Sequence, residues 1–335
     1  MKPKKFSGIF DWHEIKSMPS RCLCTIPGFK SRNLYLARKR TYLIVLLFIG
    51  INVSISCSNK DQLNVTGNSP YITKVFDYIY GPGQHASLID KSTKGDDFIG
   101  KPWTNGKSFT YLGGWGGCII AGFDHPVKNG TGNDFAVFAQ PGAGSEPGVV
   151  FVMADLNGDG LPNDGKWIEL KGSEFNNSET IRKYKVTYYK PVNSGNVTWS
   201  DNQGQHGELI PVVASGTWWW QGYGDKTEMV FSGVKLPNAY ENKPIVAGTE
   251  NWVIRSGLFS FGYAECYRNN DYNSNLKANL FDISNAVDDA GNPVVLTSIN
   301  FIKVQSGVFQ IAGWLNEIST EVSGAVDLSM ITVTN

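Results

Sequence analysis

The chain has 335 residues, with 30 Lys and Arg against 30 Asp and Glu, so its formal net charge at neutral pH is zero. The balance is uneven, because residues 1–56 hold ten basic and two acidic residues and the rest of the chain holds 20 basic and 28 acidic residues, a net charge of −8. This acidic remainder excludes a nucleic-acid partner, which would require a basic face.

The first 56 residues have the pattern of a leader. A basic triplet at 38–40 precedes an apolar run at 42–51, which is shorter than the roughly 20 residues that span a bilayer. A basic flank, a short apolar core and then small residues are typical of a secretory signal. The small residues before Cys57 resemble the lipobox of bacterial lipoproteins, in which the cysteine becomes lipidated. We therefore expect residues 1–56 to be a lipoprotein leader and Cys57 to be lipidated; an ordinary signal peptide is the alternative.

The residues after Cys57 indicate a tether and an outward orientation. Residues 57–70 are polar and predict a tether. Lys60 followed by Asp61 resembles the export signal of surface lipoproteins in Bacteroidota-type bacteria. We expect a protein that is attached to the outer membrane by its lipid and faces the cell exterior, with a periplasm-facing position as the alternative.

Short strands and glycine turns dominate the chain from Tyr71 onward. The 37 glycines and 13% aromatic residues fit a β protein with many turns and an aromatic core. No long apolar run has helical periodicity, so few short helices are expected. Many short strands predict an all-β sandwich or barrel, and the absence of a linker or repeat predicts one domain over residues 71–335. The predicted strands are 71–80, 108–112, 117–123, 134–139, 148–154, 167–170, 184–189, 197–199, 228–231, 300–305 and 326–333.

A calcium loop is predicted at residues 155–164, between two of these strands. Oxygen-bearing side chains alternate at Asp155, Asn157 and Asp159, and Gly160 follows where a tight loop needs a positive φ. The rest of an EF-hand is missing, because Lys166 occupies the position of the closing glutamate and strands replace the helices. The alternative is a turn without a metal ion, rich in Asp and Asn. The predicted calcium ligands are Asp155, Asn157, Asp159, the carbonyl of Leu161 and Asp164, with a distant carboxylate as another way to close the site.

A ligand platform is predicted at the aromatic run 218–223. In a strand, Trp218 and Trp220 would share one face and Trp219 would occupy the other, so at least one ring would be exposed. An exposed tryptophan can stack on a sugar ring or on another flat ligand; core packing is the alternative. The preceding loop is rich in amide groups that can form hydrogen bonds to such a ligand. The predicted ligand-binding residues are Trp218, Trp219, Trp220, Tyr223, Asn202 and Gln203.

Paired carboxylates are the candidates for acid–base chemistry. A glycosidase needs two carboxylates about 5–10 Å apart, and solvated turn residues or calcium ligands are the alternative reading of such pairs. Zinc-binding spacings, a hydrolase elbow and a phosphate loop are absent from the sequence. The candidate pairs are Glu146 with Glu174, Asp282 with Asp288, and Glu317 with Glu321.

Two cysteines remain once the leader and the lipidation site are set aside. Cys118 and Cys266 can form a disulfide in an oxidising compartment. A buried free thiol is the alternative, because Cys118 lies in an apolar strand.

An ordered set of motifs resembles a known family. The motifs lie at 111–125, 129–138, 145–150, 167–174, 184–191, 199–204, 286–288, 299–304 and 313–322. Together they resemble a family of Bacteroidota surface lipoproteins usually called cell surface proteins, over roughly residues 70–330. The sequence departs from that family after Ala264, where Glu265, Cys266 and Tyr267 stand in place of Asp-Asn.

The resemblance implies a fold and a class of partner. It implies a jelly-roll-like sandwich, similar to galactose-binding and discoidin-type modules. Some relatives are encoded beside outer-membrane uptake systems, including those for corrinoids, so it also implies an outer-membrane transporter as partner. The expected function is the non-catalytic capture of a small-molecule ligand, a glycan or a corrinoid-type nutrient, for uptake. A secreted carbohydrate-active enzyme and a structural or adhesive surface module are the alternatives.

Overall fold

Antiparallel β-sheets form most of the regular structure. A computed structural model describes residues 67–87, 94–104, 107–139, 144–192, 195–213, 215–267 and 269–333. They belong to a compact unit that begins at Leu63. The predicted leader, Cys57 and most of the predicted tether lie outside the described residues. Within the described ranges, no helix is both long and apolar enough to cross a membrane.

The strands are short and follow one another closely along the chain. Their bounds are β1 Lys74–Ile79, β2 Thr110–Tyr111, β3 Cys118–Lys128, β4 Phe135–Ala139, β5 Ser145–Met153, β6 Ile168–Leu170, β7 Ile181–Tyr189, β8 Val197–Asp201, β9 His206–Leu209, β10 Glu228–Lys235, β11 Tyr240–Asn242, β12 Trp252–Ile254, β13 Tyr263–Cys266, β14 Tyr272–Asn273, β15 Ala278–Phe281, β16 Ala286–Val287, β17 Ser298–Ser306 and β18 Glu321–Asp327. The helical segments are α1 Gly216–Trp219 and 3-10 turns at Gln84–Ser87, Asp96–Phe98, Trp220–Tyr223, Ile283–Asn285 and Leu328–Met330.

Two sheets enclose the main core and make the fold an all-β sandwich. The larger has seven strands in the order β1-β3-β17-β5-β6-β16, with β13 also paired to β5, and the smaller has the order β14-β15-β4-β18-β2. Ile302 in β17 lies opposite Ala121 on one side and Val152 on the other. These side chains join one buried cluster with Phe135 and Val137 of the smaller sheet. Each fully buried large aliphatic side chain stabilises such a core by roughly 1.5–3 kcal/mol.

The other face of the larger sheet is also covered. Because side chains alternate along a strand, Val149 and Phe151 of β5 point away from the main core, and they pack in a second cluster with Leu236 and Tyr263. A four-stranded sheet, β10-β7-β8-β9, contributes a third buried cluster that includes Trp115. Strands β11 and β12 form a separate hairpin.

The structure confirms the predicted all-β class, and the differences are local. The last strand spans 321–327 rather than 326–333, because the Asp327 side chain accepts the N–H of Ser329 and begins a 3-10 turn. Strands β9 and β11 to β16 were not predicted. They are two to four residues long, which is too short for alternation to be recognised in sequence.

Candidate functional site

An open cleft, here called the acidic cleft, lies beside the first residues of β5 and β18, the strand β13 and the 3-10 turn at 84–87. Its volume is ≈ 570 Å³, within the range of small-molecule sites. Four glutamates, one histidine and five large aromatic side chains form most of its walls. The lining residues are Gln84, His85, Tyr111, Gly144, Glu146, Val213, Tyr240, Trp252, Glu265, Tyr267, Ala312, Gly313, Trp314, Leu315, Glu317, Ile318 and Glu321.

A β-bulge places two of the glutamates side by side. Strand β13 pairs with β5 through Ala264 opposite Gly148 and Cys266 opposite Ser145, so the register shifts by one residue between these pairs. Glu265 lies within the shift, and its φ of 58° is in the left-handed region, which residues other than glycine rarely adopt. Strain of this kind is concentrated at binding and catalytic sites. The bulge brings Glu265 next to Glu146 at the cleft wall.

His85 is a fixed cation in the cleft. Its Nε2 lies 2.9 Å from Glu321 Oε1 and its Nδ1 lies 3.5 Å from Glu317 Oε1. Its backbone N–H donates to Glu317 Oε2 at 3.1 Å, and the ring stacks on Tyr111 at 5.8 Å between centroids. Burial alone would lower the pKa of His85, but hydrogen bonds and charges from Glu317 and Glu321 outweigh it and raise the pKa to about 10. His85 is therefore protonated at neutral pH.

Burial favours the neutral form of the other two glutamates. Burial, together with the nearby charge of Glu321, raises the pKa of Glu146 to about 8, although His85 and the N–H of Ser319 act in the opposite direction. Burial and the charge of Glu146 raise the pKa of Glu265 well above its ordinary value. Glu265 accepts hydrogen bonds from the Glu321 N–H and from the hydroxyl of Tyr267. The cleft thus combines two carboxyl groups whose pKa values are raised by burial with an ion-paired group.

Two further cavities adjoin the acidic cleft. A narrow slot shares Gln84, Glu317 and Ile318 with it and reaches the side chain of Trp219. A shallower groove of ≈ 590 Å³ shares Tyr240 and Trp252 with the cleft. This groove is also lined by Trp199, Asp201 and Gln205, so the amide-rich loop identified in the sequence does border a cavity. The acidic cleft and the groove therefore meet at the β11–β12 hairpin.

The aromatic run 218–223 is helical, so the alternation of rings considered for a strand does not apply. Trp218 and Trp219 belong to α1, and Trp220 and Tyr223 belong to the 3-10 turn that follows. Gly216 permits the helix to begin there, because a Cβ would lie 2.0 Å from the carbonyl oxygen of Gly195.

Most of this run packs in the core. Trp219 and Trp220 are 1% and 2% exposed, and Tyr223 stacks on Tyr80 at 4.7 Å. Trp220 Nε1 donates to the carbonyl of Lys226, and the hydroxyl of Tyr223 donates to the carbonyl of Tyr80. Trp218 is 48% exposed but does not line the acidic cleft. Trp219 borders the slot, and of the three tryptophans Trp218 is the exposed one, whereas Trp219 and Trp220 follow the core-packing alternative.

Asn202 and Gln203 lie in the exposed turn between β8 and β9. The Asn202 side chain donates to the carbonyl of Lys183 and accepts the N–H of Lys185. The Gln203 side chain donates to Asn202 Oδ1. Both residues lie outside the lining of the acidic cleft, and these contacts hold the turn against β7.

The predicted calcium loop connects β5 to β6 and is closed by hydrogen bonds. The Asp155 carboxylate accepts the N–H groups of Gly158 and Gly160, and Asp164 Oδ2 accepts that of Leu156 at 2.6 Å. Gly160 has a φ of 70°, as expected. Within the described ranges, no three acidic or metal-ligating side chains converge where one ion could bind them all. The oxygen donors are of the type that calcium prefers, but in this arrangement they accept N–H groups of the loop itself.

The fold brings together only some of the remaining residues predicted from the sequence. Glu317 and Glu321 do meet in the cleft, where they join Glu146. Glu174 is elsewhere, with its carboxylate bound by Ser173, Asn177 and the N–H of Phe259. Asp282 and Asp288 accept N–H groups of their own turns.

Cys118 and Cys266 are free thiols. His85 and Glu265 were missed as site residues, and the only signal for Glu265 was its departure from the family pattern.

Comparison of the chain with protein-family models found no match. Comparison with curated proteins found no significant match either. The function is therefore argued from the geometry of the site.

Proposed function

We propose that the protein is a lipid-anchored surface protein that captures a small-molecule or glycan ligand in the acidic cleft for uptake. The observation that supports this most is the open cavity of ≈ 570 Å³, with aromatic faces and convergent carboxyl groups. Aromatic faces stack on sugar rings and other flat ligands, and a few polar groups in a mostly apolar cavity fix the orientation of a ligand. Glu146 and Glu265 lie on paired strands, so the polar groups are preorganised. A ligand with several hydroxyl or amide groups, such as a glycan or a corrinoid-type nutrient, fits this lining.

The membrane attachment in this proposal rests on the sequence. Cys57, with its preceding small residues, would carry the lipid, and Lys60-Asp61 would direct the protein to the outer surface. Multiple acyl chains hold a protein on a membrane more firmly than one. An outer-membrane transporter would be the partner that receives the ligand.

A carbohydrate-active enzyme is the second candidate, and the unequal protonation of the cleft glutamates favours it. Burial makes Glu146 a protonated acid at neutral pH, whereas Glu321 forms an ion pair with His85. Glycosidases combine one protonated and one ionised carboxyl group around the bond that they cleave. Incubation with oligosaccharides separates the candidates: capture leaves the ligand intact, whereas hydrolysis releases new reducing ends, and Glu146→Gln abolishes that release.

Replacement of Trp252 by alanine should weaken ligand binding at least tenfold, about 1.4 kcal/mol. Trp252 lines both the acidic cleft and the adjoining groove, so its removal deletes stacking area from both. A thermal-shift screen of glycans and corrinoids identifies the ligand, and calorimetry measures the affinity of each variant. Trp218→Ala is the matched control, because Trp218 is exposed outside the cleft lining. Equal weakening by both variants, or by Trp218→Ala alone, would place the ligand elsewhere.

We also propose a structural calcium ion in the loop 155–164. Asp155, Asn157, Asp159, the Leu161 carbonyl and Asp164 would supply its oxygen ligands, and the missing closing glutamate argues for an affinity of about 10⁻⁴–10⁻³ M. Calcium at a hundredfold excess over its Kd should raise the stability of the folded protein by about 2.7 kcal/mol. Melting with calcium and with chelator measures this effect, and Asp155→Ala should abolish it. An unchanged melting midpoint in the wild type would show that the loop is an ordinary turn.

A further inference from the structure

Acidic side chains outnumber basic ones in the acidic cleft. Four carboxyl groups, from Glu146, Glu265, Glu317 and Glu321, face the single imidazole of His85. Among the described residues that line the cleft there is no lysine or arginine. The remaining titratable groups of the lining are the phenols of Tyr111, Tyr240 and Tyr267, and burial raises the pKa of Tyr111 and that of Tyr240 above the ordinary value. A cation beside a carboxyl group favours its ionised form, so an entering positive charge would be stabilised there.

A buried polar group in the slot has no hydrogen-bond partner among the described residues. Trp219 is 1% exposed, and its Nε1 donates to no acceptor. Glu317 lines the same slot and is ion-paired with His85, with 3.5 Å between its Oε1 and His85 Nδ1. Buried polar groups are normally paired, so the slot indicates a ligand that brings an acceptor to Trp219.

The arrangement favours an organic cation over a metal ion. The carboxyl groups are distributed around a large cavity, and within the described ranges no three metal-ligating side chains converge on one point. Aromatic rings of Tyr111, Trp252 and Trp314 share the lining. An ammonium group is attracted both to carboxylates and to the faces of such rings.

We propose that the acidic cleft recognises an amine-bearing ligand, with a primary ammonium group held by Glu317 and the neighbouring glutamates and with hydroxyl groups on its body, as in an amino sugar. This inference rests on the proposed function, since it specifies the ligand of the same cleft. A hydroxyl oxygen of the ligand supplies the acceptor for Trp219. The ammonium group of the ligand balances the carboxylate charge that His85 alone leaves unbalanced.

Proton release on binding is a consequence of this recognition. Burial raises the pKa of Glu146 to about 8, so this group is mostly protonated at pH 7. A cation beside a carboxyl group favours its ionised form. Binding of an amine at pH 7 therefore releases a proton to the solvent, whereas binding of a neutral ligand does not.

Calorimetry on the full chain at pH 7 tests the inference. The probes are glucosamine tetrasaccharide and spermidine as amines, N-acetylglucosamine tetrasaccharide as the neutral counterpart, and calcium chloride. Measurements in two buffers of different ionisation enthalpy count the protons released. We expect the glucosamine tetrasaccharide to bind at least tenfold more tightly than its acetylated form, with proton release. Glu146→Gln should remove this preference, and Glu228→Gln, which changes an exposed glutamate outside the cleft, should preserve it.

The other outcomes contradict the inference in distinguishable ways. Equal binding of both tetrasaccharides, weakened by Trp252→Ala, would overturn the amine specificity and leave the proposed ligand capture standing. Absence of binding by either amine probe, or binding of calcium alone in the cleft, would overturn it as well. Glu146→Gln resembles the protonated side chain in shape and charge, so this variant is expected to fold. Loss of affinity for both tetrasaccharides in a folded variant would assign Glu146 a role unrelated to the amine.

Discussion

Replacement of His85 by alanine should lower the free energy of unfolding by about 3–5 kcal/mol at pH 7, because it leaves buried carboxylates without their cation. The imidazole lies 2.9 Å from Glu321 and 3.5 Å from Glu317, and all three side chains are buried. The pKa of His85 in the folded protein, about 10, is above its ordinary value of 6.5. Its stabilising contribution is therefore fully present below pH 6.5 and is lost as the pH rises through 10.

Urea denaturation of wild type and variant between pH 7 and 10 measures both effects. The difference in stability should be largest near pH 7 and should shrink towards pH 10, where His85 loses its proton in the wild type as well. The double variant His85→Ala/Glu321→Gln should recover part of the lost stability, because it removes one of the carboxylates that His85→Ala leaves without a cation. A difference that is independent of pH, or strictly additive effects, would mean that His85 acts by packing and not by charge.

Replacement of Gly81 by alanine should destabilise the protein by about 3 kcal/mol or more, at the upper end of overpacking effects. A Cβ at this position would lie 2.0 Å from the carbonyl oxygen of Gly114. Backbone hydrogen bonds fix both segments at this contact. The N–H of Gly81 donates to the carbonyl of Leu112, and the N–H of Gly114 donates to the carbonyl of Gly81. The segment must therefore move as a whole, and it leads directly to the turn that holds His85. Ligand binding in the cleft should be lost with the stability.

A glycine in open space provides the control for this substitution. Gly132 has a φ of 83°, and no atom lies within 4 Å of the position of its Cβ. Gly132→Ala should therefore show only the conformational cost of a left-handed residue, about 1–2 kcal/mol. Equal losses for the two variants, measured by urea denaturation, would show that close packing at Gly81 is unimportant.

Several properties of the fold follow from local sequence. The strands β3, β5 and β17 are long, apolar runs bounded by turn residues, and local patterning is sufficient to predict them. The positive φ of Gly160 follows from its place in a tight loop rich in Asp and Asn. By contrast, the aromatic run 218–223 contains β-favouring residues but is helical, because its rings fill a space formed by distant segments. Local propensity is overridden where tertiary packing contributes more free energy.

The amino-acid sequence by itself determined the all-β class, most of the strands and the oxygen donors of the loop 155–164, since these depend on periodicity and turn chemistry within a few residues. Only the tertiary structure determined which residues form the acidic cleft. Its charged groups come from the turn at 84–87, from β5 and β13, and from residues 317 and 321 near β18, and non-local strand pairing brings them together. The protonation of Glu146 and the charge of His85 could not be predicted from the sequence either, because each depends on burial and on neighbours that are distant in sequence.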